Sequence, residues 1–540
     1  MNQIDLSFFR SARPKVEPHL LESGEAHRAV NCRMQTGALQ GFRGPTTIRA
    51  TSRPTVKSLH RFGDTGFWFE FAGDVDVAEG PLPSDTETTT YFTGDGEPAM
   101  TFAGIATVGS EPFPSNKRRL GIPAPATPMT VAKSGTADTE DESADSRTYT
   151  FTYVSDRGEE GPPSPASALI DVFDGEQVDL SDIPTAPTGN YNITHKRIYR
   201  TSSASGDTEF LYVGEIPVAN VTYTDTLASD QLGEVLPSYE WYQPPDDMAG
   251  LIACENGVMA GFSGKELCLS EAYLPHAWPP SYRLTMDQPI TGLVAVRGGI
   301  VVATQGQPVI VSFTSPAAAS QAEIENPRAC VSKRSMVDMG DFALYATADG
   351  LVAVDGAGNA PVITSTVIDR YEWKRLNPET IHAYRLDSWY IGFYQGQDGN
   401  GGFAINASGE GYVELDFYAD AGYTDPKDGG LYLVLNDEIV RWDDDDTNVL
   451  DYLWRSGTYL TRPANMAWGR VDADSYPATA DDTLVVKLYA DGDLKHTQQV
   501  TSNMPFPMPA GYLARRFEVE VSGTRTVRRV VMADAVEGIT

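Results

Sequence analysis

A short pattern that recurs about every 42 residues constrains the fold of this 540-residue chain more than any other feature. Each copy contains a turn, an apolar run, a second turn that usually holds glycine, and a second apolar run. The five copies start at Asn256, Gly298, Gly340, Asp387 and Gly429, with one longer step of 47 residues before the fourth copy. A period of about 40–45 residues with several strands per unit is typical of a β-propeller, whose blades bury their faces by stacking in a ring.

A possible sixth copy lies far upstream, at residues 63–80. Nearly all of the remaining chain consists of short alternating apolar and polar runs between Gly, Asn, Asp and Pro, which is the pattern of β structure. Helical periodicity is confined to short stretches, the best of them at residues 363–376. The sequence therefore predicts an all-β fold with a propeller of six blades, and a run of unrelated hairpins is the alternative interpretation.

Two further β units are predicted outside the repeats. Residues 122–238 alternate like the strands of a fibronectin-III-like sandwich inserted into the propeller, after a proline-rich linker and around an acidic loop at 136–147. Its predicted inward-facing residues are Tyr149, Phe151, Tyr153, Ile198 and Tyr212. The predicted division is 1–121 for the N-terminal segment and first propeller portion, 122–238 for the sandwich, 239–449 for the remaining blades and 450–540 for a C-terminal β domain.

The N-terminal residues 20–48 are polar and rich in turns, and they lack the pattern of a self-contained core. They are expected either to add a strand that completes the ring or to pack on a partner. In the tail, strands are predicted at residues 467–473, 484–490, 516–521 and 527–532.

The charge of the chain excludes several classes of partner. Its 41 Lys and Arg residues face 74 Asp and Glu residues, a net charge of −33. A chain this acidic cannot wrap nucleic acid by neutralising phosphates, and anionic membranes repel it. Four consecutive acids stand out as a charged turn, and a group of arginines stands out against the acidic background. The candidates for an acidic lumen or rim are Asp443, Asp444, Asp445 and Asp446, and those for a subunit interface are Arg525, Arg528 and Arg529.

Searches for sequence motifs of catalysis and ligand binding find nothing specific. The chain has no GxxxxGK[ST] loop, no strand–GxGxxG–helix unit, no HExxH pair and no GxSxG elbow. Its four cysteines show no CxxC spacing and do not form a disulfide scaffold. No secretory signal and no apolar run of about 18 residues is visible. We therefore expect no membrane insertion, and we expect that the protein stays in the cytoplasm or leaves by a route that needs no signal. We predict no catalytic residue, no metal ligand, no cofactor and no enzymatic activity.

Several segments resemble the tail nozzle proteins of short-tailed bacteriophages, also called tail tubular or DNA-stabilisation virion proteins. The resemblance is carried by NCRMQTGALQGFRGP at 31–45, by DVDVAEGPLPSDTETTTYFTGDGEPAM at 74–100, by LGIPAPATP at 120–128, and by residues 147–167 and 244–279. It covers most of the first 350 residues. It implies a β-propeller with inserted β domains, assembled as a homohexameric ring below the head-to-tail adaptor. It also implies that the ring lines the DNA exit channel and carries docking surfaces for tail fibres or spikes.

The function predicted on this basis is that of a structural virion protein of the tail, assembled in the host cytoplasm. An acidic channel would repel phosphates, so that genomic DNA passes without specific binding. Two alternatives are a carbohydrate- or receptor-binding propeller and a propeller that hydrolyses polysaccharide. For the first alternative, the candidate sugar-stacking residues are Trp278, Trp389, Tyr390 and Trp442.

Overall fold

The computed structural model describes residues 2–138, 144–202, 207–324, 328–406, 411–477 and 482–539, and their regular secondary structure is mostly β-strand. Residues 139–143 of the predicted acidic loop lie outside these ranges. The N-terminal segment contributes strands to distant parts of the molecule and not to a unit of its own. Its strands are β1 (Gln3–Leu6), β2 (Ala26–Val30), β3 (Cys32–Arg33), β4 (Gln40–Gly41) and β5 (Arg43–Ala50).

The first part of the propeller contains a hairpin and a four-stranded antiparallel sheet. The hairpin is formed by β6 (Ser58–Arg61) and β7 (Trp68–Phe71). The sheet is formed by β8 (Asp76–Glu79), β9 (Thr90–Thr93), β10 (Ala99–Thr101) and β11 (Arg118–Arg119), with the short helix α1 (Ala103–Ala106) between its last two strands. The upstream copy of the sequence pattern thus spans the end of one sheet and the start of the next.

Between β11 and the rest of the propeller lies a sandwich with its own hydrophobic core. Its strands are β12 (Thr130–Gly135), β13 (Asp145–Arg147), β14 (Tyr149–Ser155), β15 (Ile170–Val172), β16 (Glu176–Ser181), β17 (Ile193–Ser202), β18 (Asp207–Pro217) and β19 (Tyr223–Asp225). They pair in the orders β12-β16-β19, β14-β17-β18 and β13-β15. The likeness of this unit to a fibronectin type III domain stays a prediction.

Four of the five residues predicted to face this core do so: Tyr149, Phe151, Tyr153 and Ile198. The expectation for Tyr212 was wrong. The pairing of β17 with β18 shifts between Ile198 and Tyr199, so Val213 takes the inward position. Tyr212 is half-buried outside the core and contacts the ring of Tyr199 edge-on.

The five sequence repeats correspond to the second and third strands of five successive sheets. The first two sheets are β20 (Ala249–Ala253), β21 (Met259–Ser263), β22 (Glu266–Leu269) and β23 (Leu284–Thr285), then β24 (Ile290–Val296), β25 (Gly299–Thr304), β26 (Val309–Ser312) and β27 (Ser320–Glu323). The third sheet is β28 (Val337–Asp338), β29 (Phe342–Thr347) and β30 (Gly350–Asp355), and the fourth is β31 (His382–Leu386), β32 (Trp389–Gly396), β33 (Gly399–Asn406) and β34 (Tyr412–Leu415). The fifth sheet is β35 (Ala421–Thr424), β36 (Leu431–Leu435) and β37 (Glu438–Val449). The predicted helical stretch contains a 3-10 turn at Ile363–Thr366 and helix α2 (Arg370–Arg375).

These sheets close into a ring, and the predicted all-β propeller is confirmed. The first strands of neighbouring sheets contact one another from β8 through β20, β24, β28 and β31 to β35, and β35 contacts β6. Apolar clusters join the last sheet to the β6–β7 hairpin and the hairpin to the β8–β11 sheet. The ring therefore holds six sheets of three or four strands, and the hairpin fills a seventh position. Strand β5 completes the last sheet by pairing with β37. Through this strand the N-terminal segment completes the ring, which was one of the two alternatives predicted for it.

The C-terminal domain is a second β-sandwich, whose two sheets each include a strand from the N-terminal segment. Its own strands are β38 (Tyr452–Ser456), β39 (Tyr459–Ala464), β40 (Trp468–Ala473), β41 (Leu484–Ala490), β42 (Asp493–Gln499), β43 (Phe506–Pro507), β44 (Ala514–Gly523) and β45 (Val527–Ala533). One sheet has the order β1-β45-β40-β43, and the other runs β2-β38-β44-β41-β42 with β39 on β44. Strand β2 also pairs with β34, so this second sheet continues into a propeller blade.

Candidate functional site

The four consecutive acids lie within strand β37, where the sequence predicted a charged turn. The local prediction was wrong because the pairing partner of β37 is β5, which is about 400 residues away in the chain and invisible to a local pattern. The pairing is irregular over the run, since Arg441 faces Thr46 whereas Asp445 faces Gly44. Asp443 takes a positive φ of 56° in this bulge, a conformation that aspartate tolerates better than most residues.

Asp443 is held in place by neighbours of its own chain. Its side chain is 11% exposed, lies 3.1 Å from an Arg33 guanidinium nitrogen and accepts the backbone N–H of Arg43 at 2.8 Å. Burial raises the pKa of this carboxyl, and these contacts with Arg33 and Arg43 oppose the rise. Asp443 therefore stabilises the junction of β5 with β37, and it does not present a free charge.

The other three acids of the run are more exposed. Asp444 lies 3.5 Å from the Arg441 guanidinium, and Asp446, which is 74% exposed, lies 2.8 Å from that of Arg43. Asp445 accepts hydrogen bonds from the hydroxyl and the backbone N–H of Thr447, which lower the pKa of its carboxyl. The placement of these acids on a lumen or rim stays a prediction.

The three arginines predicted at a subunit interface each form an ion pair within the chain. Arg529 donates two hydrogen bonds to Asp5, at 2.7 and 2.9 Å, and so joins β45 to β1. Arg528 binds Asp474, and Arg525 binds Asp482. These contacts stabilise the C-terminal sandwich and leave the three guanidinium groups with less capacity for a second subunit.

A set of ion pairs on the propeller axis was missed by the sequence analysis. The Lys333 ammonium, just before β28, lies 2.6 Å from Asp76 and 3.1 Å from Asp74. Because β8 and β28 are on opposite sides of the ring, Lys333 bridges the axis. Asp76 also accepts the backbone N–H of Gly250 in β20. Burial raises the pKa of Asp76; burial also disfavours charged Lys333, but the two carboxylates outweigh this effect and raise the pKa of Lys333.

A second cross-axis contact lies next to the first. The guanidinium of Arg334 donates to the backbone carbonyl of Lys57, at the start of β6, and at 3.4 Å to the hydroxyl of Tyr384 in β31. A cavity of about 390 Å³ opens beside it, lined by cations and carboxylates together with polar and aromatic side chains. Its charged residues are Arg53, Lys57, Asp74, Arg334, Asp420 and Asp437. The local sequence around Lys333 and around Asp76 could not have indicated their ion pair, because the residues that flank each of them are typical of an ordinary turn.

His382, in β31, also lines this cavity and is almost fully buried. Its Nδ1 lies 3.0 Å from the hydroxyl of Tyr384. Burial and the nearby positive charge of Arg334 lower the pKa of His382 to about 3. The imidazole is therefore neutral at physiological pH and packs as part of the propeller core.

The aromatic residues proposed for sugar stacking are core residues. The side chains of Trp278, Trp389, Tyr390 and Trp442 are all buried. They pack between sheets or within the large cluster that joins the propeller to the C-terminal sandwich. Their ring faces are not available to a ligand at the surface.

The cysteines are all free thiols: Cys32, Cys254, Cys268 and Cys330. Burial raises the pKa of each of them. Across the described ranges, no group of three or more His, Cys, Asp or Glu side chains is arranged to hold a metal ion. The helices of the described residues also lack the length and apolar character needed to span a membrane.

Most of the 41 Lys and Arg side chains form ion pairs with Asp or Glu of the same chain, as Arg61 does with Asp425 and Lys427 with Glu79. Because acids outnumber cations, pairing leaves many carboxylates without a cation. The charge that remains unneutralised is therefore mostly negative. Among the described residues, three cations of the C-terminal sandwich form no such pair: Arg462 in β39, and Arg515 and Arg516 in β44.

Comparisons with known proteins give matches to solved structures only, at low identity and low TM-score. No family model matches the chain, and no curated protein matches it. Among solved structures, the WD40 domain of Neurospora crassa Pan2 matches at 8% identity with a TM-score of 0.26, over 51% of this chain and 87% of that one. The extracellular domain of the putative hybrid two-component system BT4673 from B. thetaiotaomicron matches at 10% identity with a TM-score of 0.26, over 91% of this chain and 60% of that one. PorZ of Porphyromonas gingivalis matches at 12% identity, again with a TM-score of 0.26, over 85% of this chain and 66% of that one.

Proposed function

We propose that this chain is a structural subunit of the tail nozzle of a short-tailed bacteriophage, six copies of which form a ring around an acidic channel for DNA. The observation that carries the proposal is the charge left after pairing: the net charge is −33, and most cations are already bound to carboxylates of the same chain. The sequence resemblance in residues 31–45, 74–100 and 244–279 supports the same conclusion.

The channel in this proposal lies between subunits and not along the axis of one propeller. Lys333 and Arg334 bridge that axis, from the start of β28 to β8 and to the start of β6. A duplex therefore has no path through a single subunit. Six subunits around a common axis would instead enclose the duplex with their outer surfaces, and the acidic run from Asp443 to Asp446 is the candidate for that wall or its rim.

The charge of such a wall explains how DNA could be both guided and left mobile. Tight binding of DNA requires lysines and arginines that replace the counterions of the phosphates. Here few cations are free to do so, and the wall repels phosphates within roughly a Debye length, about 8 Å at physiological ionic strength. The genome would be held away from the wall by repulsion and would slide during ejection without breaking specific contacts.

The two sandwiches provide surfaces for the other partners of the proposal. The inserted sandwich has its own sheets, and the C-terminal sandwich extends from a propeller blade through strand β2. We assign contacts with the head-to-tail adaptor and with tail fibres or spikes to the two sandwiches, because contacts made there leave the propeller sheets free to form the wall.

The test is electron microscopy of the purified protein, with light scattering of the same sample in the presence and absence of the adaptor ring. We expect rings with six-fold symmetry and a central opening wide enough for duplex DNA. Fluorescence anisotropy with a labelled duplex should show no binding at physiological salt. A protein that stays monomeric or trimeric with the adaptor present would refute the nozzle function.

A further inference from the structure

One edge of the C-terminal sandwich combines exposed apolar side chains with unpaired cations. We call it the edge patch and define it by Leu460, Arg462, Leu513, Arg515 and Arg516. Leu460 is 62% exposed and Leu513 is 74% exposed. Leu460 in β39 lies directly opposite Arg516 in β44, and the side chains of such cross-strand pairs are close neighbours. Leu460 and Arg516 therefore form a mixed apolar and cationic pair at the surface, and Arg462, Leu513 and Arg515 are exposed within three residues of this pair in the chain.

The cations of the edge patch differ from the other arginines of this domain. In the described part of the chain, Arg462, Arg515 and Arg516 form no ion pair, whereas Arg525, Arg528 and Arg529 are bound to aspartates. The carboxylate of Asp491 accepts the backbone N–H groups of Arg515 and Arg516, at 3.2 and 3.0 Å, and not their guanidinium groups. Three guanidinium groups close to one another in the chain fold thus have no carboxylate partner among the described residues, in a chain with 74 acids.

A complementary surface lies elsewhere on the same chain, in residues 234–242, which connect the inserted sandwich to the propeller. We call it the connecting segment. Val235, Tyr239 and Tyr242 are exposed large apolar residues there. Glu234 and Glu240 are exposed beside them and form no ion pair within the described ranges. The segment therefore offers the opposite charge to the edge patch together with apolar area to cover.

We propose that the edge patch of one copy binds the connecting segment of the next copy. The two surfaces are different parts of the chain, so the contact is head-to-tail, and head-to-tail contacts close into rings when the rotation between copies is right. Opposite charges at the rim would select the correct partner and speed its encounter, and the leucines and tyrosines would supply the buried apolar area. This inference rests on the proposed function, because it names the contact that would hold the six-membered ring together.

The test uses two paired variants and a matched control, with mass measured by light scattering over a range of protein concentrations. Leu460→Ser/Arg516→Glu damages the edge patch, and Tyr239→Ser/Glu240→Arg damages the connecting segment. The control, Tyr371→Ser/Lys374→Glu, removes an exposed ring and an unpaired cation on helix α2, far from either surface in the sequence. All six positions are exposed, so thermal unfolding should be unchanged, and any variant that melts earlier is replaced by the corresponding single substitution.

We expect each of the two variants to weaken self-association by about 10–100-fold while the control assembles like the wild type. The sharper readout is a mixture of the two variants. In a head-to-tail contact, the intact edge patch of one variant can still bind the intact connecting segment of the other, so the mixture should give dimers that contain one copy of each and no rings.

The remaining outcomes separate this inference from the proposed function. A six-membered ring that survives both variants overturns the inference and leaves the nozzle function standing. A wild-type dimer that both variants dissociate supports the contact and overturns the hexameric nozzle. A wild type that is monomeric at every concentration overturns the inference, because the inference requires that a second copy of this chain binds the edge patch. Variants that dissociate singly but form no mixed dimer also overturn it, because the two surfaces then do not bind each other.

Discussion

Removal of the Lys333 ammonium should destabilise the propeller in a way that depends on pH. In a Lys333→Met variant, Asp76 and Asp74 lose the cation that lies 2.6 and 3.1 Å away. Breaking a fully buried pair costs about 3–5 kcal/mol, whereas exposed pairs are worth about 0–1 kcal/mol. The side chains of Lys333 and Asp76 are 20% and 23% exposed, so we expect a loss of about 2 kcal/mol at pH 7.

The sign of the pH effect follows from Asp76. Its pKa is already raised by burial, and loss of Lys333 raises it further. A raised pKa in the folded state favours the protonated carboxyl, so the stability deficit of the variant should shrink as pH falls from 8 towards 5. Asp76→Asn in the Lys333→Met background should recover most of the deficit, because no isolated buried carboxylate remains.

The assay is differential scanning calorimetry of the full-length chain at several pH values. A loss of about 2 kcal/mol corresponds to a fall of about 4–8 °C in the melting temperature for a unit of 150–250 residues. Lys374→Met is the control, because Lys374 is exposed and forms no ion pair with any described residue; it should change stability by less than about 0.5 kcal/mol. The reasoning is wrong if Lys333→Met is as mild as the control, or if its deficit grows on acidification.

Three further predictions concern other polar groups of the fold. Asp225→Asn should destabilise the inserted sandwich by about 3 kcal/mol, since its carboxylate is fully buried against Arg200 at 2.9 Å; hydrogen exchange in β14 and β17 measures this, and exchange as slow as in the wild type would contradict it. Burial lowers the pKa values of three histidines: His60, His276 and His382. A histidine whose folded-state pKa is depressed contributes its stability above the unfolded pKa of 6.5, and this contribution is lost as pH falls. Each of the three histidines should therefore cost the fold about 2 kcal/mol of stability between pH 7 and 5. Denaturant titrations at both pH values should show a weaker pH dependence of the unfolding free energy for His276→Gln than for the wild type. Asp443→Ala should cost about 2 kcal/mol, from its hydrogen bond to Arg43 and its positive φ, whereas Asp446→Ala should stay within about 0.5 kcal/mol; equal effects on the melting temperature would refute this distinction.

The repeat and the alternating pattern predicted the propeller well, because these features depend on neighbouring residues. Each copy supplied the second and third strands of one sheet, and the predicted strands of the tail match β40, β41, β44 and β45. What the pattern could not reveal was pairing over long distances. The acidic run was predicted as a turn because its partner, β5, comes from the start of the chain. The inward orientation of Tyr212 failed for a more local reason, since a single bulge in the pairing of β17 and β18 reverses which residues face the core.

The candidate site was less predictable than the fold. Composition alone gave the excess of acids, but it could not show which cations are consumed within the chain. Arg525, Arg528 and Arg529 stood out in the sequence because they cluster, yet each has an aspartate partner from a distant segment. Arg462, Arg515 and Arg516 form a less obvious cluster, and only the pairing of β39 with β44 brings them together. The same limit applies to Lys333 and Asp76, which lie 257 residues apart.

The pairing of β5 with β37 also sets the order of events during synthesis. The hydroxyl of Thr47 binds the carboxylate of Glu438 across 391 residues, so β5 leaves the ribosome long before its partner exists. At about 5–20 residues per second, the wait is roughly 20–80 s. Throughout that time the hairpins of the propeller can form one by one, but the ring stays open and β5 exposes an unpaired edge, which is a template for wrong pairing with another chain. A chaperone that shields this edge, or a slower supply of nascent chains, should therefore raise the yield of soluble protein more than any substitution in the finished fold.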